Sequence, residues 1–248
     1  MRRLVALGRA ELLLLLRNRM ALFNAAVLPI PLVAVTAGAV RDADPGFNAR
    51  LVSGMLALVL VAVLYYNLVT TFVARREELV LKRLRTGELT DAEILLGTAG
   101  PSLVVALLQM VLFVAAAAAF LGLPVPVNAP VLVLGVLAGV AVFVALAAVS
   151  AAFTRTVELA QITTLPVLLV CFIGAGIAVP LSSLPDAVQE VLRFMPLTPA
   201  MELMRLGWTG PSFGGALRSS LAPAGLLAAW TVVAWLGVRR WFRWEPRR

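Results

Sequence analysis

Long apolar runs, almost free of charge, are the feature that most constrains how this chain folds. A helix needs about 20 mostly apolar residues to cross a bilayer, and six stretches are long enough: 20–40, 51–74, 102–123, 130–153, 157–180 and 220–238. Because the runs are continuous rather than alternating, they favour spanning helices over the strands of a membrane barrel. The sequence therefore predicts an all-α polytopic membrane protein with six transmembrane helices, folded as a single transmembrane domain over residues 1–248.

Composition supports this assignment and narrows the chemistry. The chain is 61% hydrophobic and 14% charged, whereas soluble domains hold about 45–50% apolar and about 25% charged residues. It has one cysteine, Cys171, and no histidine, so an intrachain disulfide and histidine metal sites are excluded. Arg9 and Glu11 interrupt the apolar part of residues 1–19, so this segment is predicted to be a retained cytoplasmic N-terminal helix rather than a cleaved signal peptide.

Basic residues alternate between the two sides of the predicted spans. Of the 21 Lys and Arg residues, 16 fall in 1–19, 75–97, 154–156 and the tail from Arg239, and five fall in the other connections. Because positive charge marks the cytoplasmic side, both termini are predicted to be cytoplasmic, which requires an even number of spans. Orientation also explains the net charge of +8, so the basic balance does not indicate a nucleic-acid partner.

The spans and loops lack the residues that most membrane enzymes and ion-coupled carriers use. No charged residue lies in the middle of a run, which disfavours ion-coupled transport. Lys82 is the only lysine, and the chain has no Gly-x-x-x-x-Gly-Lys-Ser/Thr loop, HExxH or Gly-x-Ser-x-Gly motif. We predict no catalytic, cofactor-binding or metal site and no enzymatic activity. The remaining candidate functions are a permease powered by another chain, a passive channel, and a membrane scaffold or assembly factor.

The predicted cytoplasmic loop 75–97 carries a signal for the start of a helix. Thr90 followed by Glu93 is a capping box, which predicts a short helix over Asp91–Leu96, and Gly97 can close it. This helix is apolar at its end, which suits a docking element. An anchor on the lipid surface would have the same character, and the residues alone do not decide between the two.

Residues 181–210 predict two short helices that do not cross the membrane. Ser183 and Thr198 stand where they can cap them, and Glu202 and Arg205 are spaced to pair. Apolar residues of the first helix recur at helical spacing: Val188, Val191, Leu192 and Met195. We predict a re-entrant external hairpin between spans five and six. A hairpin lying on the lipid surface, with no gating role, is the alternative.

Two groups of residues carry a resemblance to a known family. In the cytoplasmic loop they are Glu78, Lys82, Arg83, Leu84, Thr86, Gly87, Leu89, Thr90, Ile94, Leu95 and Gly97. After span five they are Gly176, Pro180, Leu184, Pro185, Pro196, Leu197, Glu202 and Arg205. In this order across six spans, the pattern resembles the permease subunits of ATP-binding-cassette (ABC) exporters of the type-2 class.

The resemblance implies an ATP-driven efflux permease. One chain would be half of an exporter that moves an amphipathic or hydrophobic solute (drug-, lipid- or natural-product-like) out of the cytoplasm. Its partners would be two ABC ATPase subunits, which hold the ATP and Mg²⁺, and a second permease chain, identical or homologous. This chain would hold no cofactor and would lie in the cytoplasmic (plasma, or cell inner) membrane.

The resemblance also implies roles for two segments. The loop would be the coupling element that docks on the ATPase, with Ile94 and Leu95 filling an apolar cleft of the partner; its candidate residues are Arg83, Arg85, Leu89, Thr90, Asp91, Glu93, Ile94, Leu95 and Gly97. The hairpin would close the outer end of the route, with gate candidates Pro185, Glu190, Pro196, Glu202 and Arg205.

Polar residues within two spans are candidates for the route itself. They share one face of span two and one face of span five: Asn67, Thr70 and Thr71, and Gln161, Thr164, Leu168 and Cys171. Polar residues in spans usually point inward, but hydrogen bonds between helices explain them equally well. A route without buried charge suits an amphipathic or hydrophobic solute better than an inorganic ion.

Overall fold

The described part of the chain is all-helical. A computed structural model describes residues 33–35, 45–86, 90–174, 183–242 and 244. The helices are α1 (Pro45–Leu58), a π-helical segment (Val59–Tyr65), α2 (Tyr66–Glu77), α3 (Val80–Arg85), α4 (Asp91–Leu121), α5 (Ala129–Phe153), α6 (Val157–Gly174), α7 (Asp186–Phe194), α8 (Leu197–Thr209) and α9 (Phe213–Trp241).

Five helices of the described chain are long and apolar enough to cross a membrane: Gly46–Glu77, Asp91–Leu121, Ala129–Phe153, Val157–Gly174 and Phe213–Trp241. They correspond to predicted spans two to six. The predicted first span, 20–40, and the predicted N-terminal helix, 1–19, lie outside the described residues apart from 33–35. The structure therefore confirms a polytopic helical protein, and the first predicted span, 20–40, stays a prediction.

The helices of the second and last spans begin several residues before the predicted spans. The helix of the second span begins at Pro45, so part of the predicted loop 41–50 is helical, and the helix of the last span begins at Phe213 rather than at residue 220. A neighbouring helix covers a polar side chain near the start of the first of them. Asn48, for example, is buried and donates a hydrogen bond from Nδ2 to the carbonyl oxygen of Leu121, 3.1 Å away.

The helix that starts at the capping box is much longer than predicted. It begins at Asp91 as expected but does not end at Gly97; it continues for 31 residues to Leu121 and ends at Gly122, which has the left-handed conformation typical of a helix end. A glycine inside a helix costs about 1 kcal/mol. Packing outweighs that cost, because Gly97 and its neighbours Ile94 and Leu95 are buried.

A break separates the second span from the short helix α3. Leu79 adopts a left-handed backbone conformation, with φ of 59°, and turns the chain between α2 and α3. The segment from Arg75 to Arg85 therefore does not continue the second span as one uninterrupted helix. This backbone region favours glycine, and the N–H of Leu79 donates to the carbonyl oxygen of Arg76 at 3.1 Å.

Helix α5 lies at the centre of the described bundle and contacts α2, α8, α9 and the π-helical segment. Its closest neighbour is α8, which runs antiparallel to it. A Cβ atom on Gly135 would lie 2.9 Å from the backbone nitrogen of Met204, and one on Gly207 would lie 2.9 Å from Cα of Leu132. Only glycine fits at these two positions, so the backbones of α5 and α8 touch.

Both short helices predicted in 181–210 are present, but their starts differ from the prediction. They are preceded by Pro185 and Pro196, and neither has a capping side chain. Thr198 does not cap α8; its Oγ1 donates a hydrogen bond to the carbonyl oxygen of Leu192, 2.7 Å away, and so ties α8 to α7. Ser183 is exposed and caps nothing. Proline suits the start of a helix because its own φ is fixed near the helical value and its missing N–H would have no intrahelical partner there.

Candidate functional site

The predicted capping box is present at the end of α4 that the charge pattern assigns to the cytoplasm. The backbone N–H of Glu93 donates to Oγ1 of Thr90 at 3.3 Å, and the backbone N–H of Thr90 donates to Oε2 of Glu93 at 2.9 Å. Two free donors at the start of the helix are thereby satisfied. The first turn of α4, a candidate spanning helix, is thus stabilised by capping hydrogen bonds at this surface.

The candidate coupling residues divide into exposed and buried groups. Arg83, Arg85, Thr90 and Asp91 are exposed and Glu93 is partly exposed, whereas Ile94, Leu95 and Gly97 are buried; Leu89 lies outside the described residues. The expectation that Ile94 and Leu95 enter a cleft of a partner is therefore wrong, because both fill the core of this chain. Leu96, which was not predicted, is the exposed apolar residue of this turn.

Arg85 joins α3 to the start of α4 and to the tail after α9. Its Nε lies 3.2 Å from Oδ1 of Asp91, and its guanidinium stands 5.1 Å from the ring centroid of Trp244. Both contacts are short enough for an ion pair and a cation–π interaction. One arginine therefore contacts the start of the next helix and the tail after α9, which is distant in sequence.

A second arginine, Arg76, closes the end of α5 and was missed as a positioning residue from sequence. Its side chain is 1% exposed and donates to the carbonyl oxygen of Ala151 at 2.9 Å, to that of Thr154, and to that of Arg155 at 3.3 Å. A positive charge at the C-terminus of a helix is favourable, because the last carbonyls lack intrahelical partners. Arg76 therefore fixes the turn between α5 and α6 to the end of span two.

The candidate route residues do not form one polar surface. Thr164 and Cys171 are buried, Leu168, Thr70 and Thr71 are partly buried, and Asn67 and Gln161 are exposed. The hydroxyls of Thr70 and Thr164 bond to the carbonyls of Tyr66 and Ala160 in their own helices, so they are satisfied without a solute. Within the described structure, the side-chain amides of Asn67 and Gln161 have no hydrogen-bond partner.

An apolar cavity of about 210 Å³ lies between the second span and α6. Seven residues line it: Leu58, Val61, Ala62, Leu165, Leu168, Leu169 and Phe172. On one side it borders the π-helical segment Val59–Tyr65, and such segments inside helices often mark functional sites. Leu168 is the one candidate route residue that lines this cavity.

The turn between α7 and α8 lies at mid-height of the neighbouring spans. Nε1 of Trp230, in the middle third of α9, donates to the carbonyl oxygen of Phe194 at 2.7 Å. A Cβ atom on Gly139 would lie 3.4 Å from Cβ of Ala200, and Gly139 is about 15 Å from the start of α5 at 1.5 Å per residue. From that depth α8 rises to the start of α5, where the N–H of Asn128 donates to the carbonyl of Gly207 at 2.8 Å.

The gate candidates are spread over this hairpin. Pro185, Glu190 and Glu202 are exposed, Arg205 is partly buried and Pro196 is buried. The predicted pair between Glu202 and Arg205 is not formed in the described structure. Val191 and Phe194 of α7, 57% and 63% exposed, present an apolar face away from the bundle.

Among the residues that the structure describes, no group of three or more His, Cys, Asp or Glu side chains could hold a metal ion. The candidate functional features among the described residues are two helical elements and a cavity. They are a capped helix that continues into a candidate span, a pair of short helices whose turn lies at mid-height of the neighbouring spans, and an apolar cavity between two spans.

Comparison with known proteins agrees with these features. No curated protein gives a significant match to the chain. The family described as "ABC-2 type transporter" matches residues 2–207, which is most of the 248 residues and includes the capped helix and the hairpin up to Gly207. The chain is a multi-pass membrane protein that belongs to the ABC-2 type transporter family and is a membrane-spanning permease of an ABC transporter.

Proposed function

We propose that this chain is the permease half of an ATP-driven exporter whose ATPase is a separate subunit. The observation that carries the proposal is the continuity of α4. Its first turn is closed by the Thr90–Glu93 box, and the same helix continues through a candidate span to Leu121. A force applied at the cytoplasmic surface would reach the middle of the membrane through one continuous helix, which contains Pro101.

The proposed docking surface for the ATPase is the exposed part of this turn. Thr90, Asp91 and Leu96 are exposed there, together with Arg83 on α3. Leu96, 51% exposed, takes the role of apolar anchor that the sequence assigned to Ile94 and Leu95. Basic residues beside it would orient the partner through charge complementarity.

The proposed orientation of the chain in the membrane follows the distribution of its basic residues. With 16 of 21 basic residues on one side, both termini and the Arg83–Leu96 surface face the cytoplasm, in the plasma membrane. The predicted first span is needed for this arrangement, because five spans would place the termini on opposite sides.

The α7–α8 pair is proposed to be a re-entrant hairpin on the outer side. Helix α8 has 13 residues, which is about 20 Å at 1.5 Å per residue, whereas the hydrocarbon core is about 30 Å thick. It cannot cross. Its burial against α5, α9 and α1 disfavours the alternative of a hairpin resting on the lipid surface, and its starting depth suits a plug over the outer end of the route.

The route is proposed to lie beside span two and α6. The unbonded amides of Asn67 and Gln161 and the apolar cavity at Leu168 lie on these two helices. An exposed amide in a span favours contact with water or with a second chain over contact with lipid. One chain encloses little space, so we propose two permease chains, with ATP and Mg²⁺ on two ATPase subunits and an amphipathic or hydrophobic solute as cargo.

Co-purification tests this function against the scaffold and passive-channel alternatives. The chain is purified from its native membrane under conditions that retain bound subunits, the preparation is searched for an ABC ATPase, and ATP hydrolysis is measured with and without amphipathic solutes. We expect a stable complex in which a solute raises the hydrolysis rate. A chain that retains no ATPase, or an ATPase that no tested solute stimulates, would favour the alternatives.

A further inference from the structure

A second and larger cavity lies beside the start of the capped helix α4. It has a volume of about 510 Å³ and is enclosed by the end of α3, the start of α4, the last turns of α9 and the tail beyond. Its lining residues are Arg85, Thr90, Asp91, Ala92, Leu95, Trp235, Val238, Arg239, Phe242 and Trp244. None of the roles assigned above accounts for this space.

Arg85 and Arg239 are the basic residues among the described residues that line the cavity. Arg85 is paired with Asp91 at 3.2 Å and covers the ring of Trp244, so its charge is largely offset. Arg239 is exposed, lines the cavity and has no hydrogen bond or ion pair within the described structure. An anionic group in the cavity would therefore meet one unpaired guanidinium, beside a second one that is already held in place.

The other walls are apolar and aromatic. Trp235, Val238, Arg239 and Phe242 recur at i, i+3, i+4 and i+7, so one face of the end of α9 and the residue after it supplies most of one wall. Leu95 faces them from α4. Such a surface suits a molecule that has an anionic head and an apolar body.

We propose that this cavity binds the phosphate headgroup of an anionic phospholipid from the cytoplasmic leaflet. The cavity stands at the basic end of a span, where the bilayer meets water, and tryptophans are typical of that level. Pockets of this kind, basic and between helices on the cytoplasmic side, suit anionic lipid headgroups. The phosphate lies against Arg239, and the acyl chains enter the bilayer beside Trp235.

A bound lipid would bridge two segments that both line the cavity. Arg239 belongs to the end of α9, and Thr90 and Asp91 begin the capped helix α4. The lipid would therefore stiffen the base of α4. This inference concerns lipid binding by the chain itself and does not depend on an ATPase partner.

Two adjacent arginines provide a matched test. Arg239 and Arg240 are both exposed at the end of α9, but Arg239 lines the cavity and Arg240 does not. The full-length chain and the variants Arg239→Gln and Arg240→Gln are purified, depleted of lipid and titrated with phosphatidylglycerol or phosphatidylcholine. Retained lipid is counted by native mass spectrometry.

We expect the wild-type chain to bind phosphatidylglycerol more tightly than phosphatidylcholine. Arg239→Gln should weaken phosphatidylglycerol binding by about tenfold, the typical effect of losing one charge-assisted hydrogen bond, and Arg240→Gln should leave it within about twofold. Equal weakening in both variants would show a general effect of surface charge and would overturn the proposal. So would equal binding of the two lipids by the wild-type chain.

A competition arm distinguishes a lipid from a soluble phosphate. Millimolar inorganic phosphate is added before phosphatidylglycerol. We expect no displacement, because phosphate lacks the apolar body that Trp235 and Leu95 would contact. Displacement by inorganic phosphate would assign the cavity to a soluble anion and overturn the lipid assignment.

Discussion

At the scale of single residues, Arg76 shows how a buried charge can support a membrane-protein turn. A buried guanidinium is tolerated when it is hydrogen-bonded, and Arg76 donates to three carbonyl oxygens at the α5–α6 turn. The same turn is tied to α6 by the hydroxyls of Thr154 and Thr163, 2.8 Å apart. The turn between α5 and α6 is therefore held in place by side-chain hydrogen bonds.

Replacing this arginine should destabilise the fold. Arg76→Met keeps most of the side-chain volume but leaves the three carbonyl oxygens without a donor, and hydrogen bonds to charged groups contribute about 1.5–3 kcal/mol each. We expect a loss of at least about 3 kcal/mol, measured as a lower midpoint of thermal unfolding in detergent. Arg83→Met, at an exposed position of α3, is the control. Equal midpoints for the two variants would contradict this role.

At the scale of helices, the contact between α5 and α8 depends on glycine. Gly207→Ala would place a Cβ atom 2.9 Å from Cα of Leu132, which is closer than real contacts allow. We expect destabilisation of about 1–3 kcal/mol, as in other overpacked sites, and a lower unfolding temperature. Gly225→Ala in α9 is the control, because nothing lies within 4 Å of that position.

The control should behave in the opposite way. Alanine favours a helix over glycine by about 0.5–1 kcal/mol, so Gly225→Ala should be neutral or stabilising. If Gly207→Ala were as stable as Gly225→Ala, α8 would not pack against α5 in the membrane, and the re-entrant hairpin would lose its main support.

Local sequence signals predicted where the helices lie better than they predicted how the helices pack against one another. The Thr90–Glu93 box and the apolar runs act within a few residues, so the start of α4 and spans two to six could be located from sequence. Burial of Ile94 and Leu95 could not, because it depends on helices that are distant in the chain. The partners of Arg76 are about 75 residues away, and no local pattern indicates them. The aromatic residues around Trp244 were a local signal available for the 510 Å³ cavity.

At the scale of the whole molecule, the proposed topology makes a direct prediction. In a Cys171→Ser background, cysteines at positions 3 and 247 should react with an impermeant thiol reagent only from the cytoplasmic side, and a cysteine at Ser212 only from outside. The 16-to-5 distribution of basic residues is the reason. Labelling of positions 3 and 247 from opposite sides would remove the first span from the topology.

The most direct test of an ATP-driven permease is the effect of the capping box on coupling. Thr90→Ala should remove about 1 kcal/mol of helix stability at the start of α4, while the surface around Leu96 stays in place. In membranes that contain the chain and its ATPase, we expect the variant to keep the partner bound but to lose most of the stimulation of ATP hydrolysis by solute. Thr86→Ala, an exposed threonine of the same loop, should keep wild-type stimulation. Normal stimulation in Thr90→Ala, equal to that in Thr86→Ala, would contradict the claim that α4 transmits the work of the ATPase into the membrane.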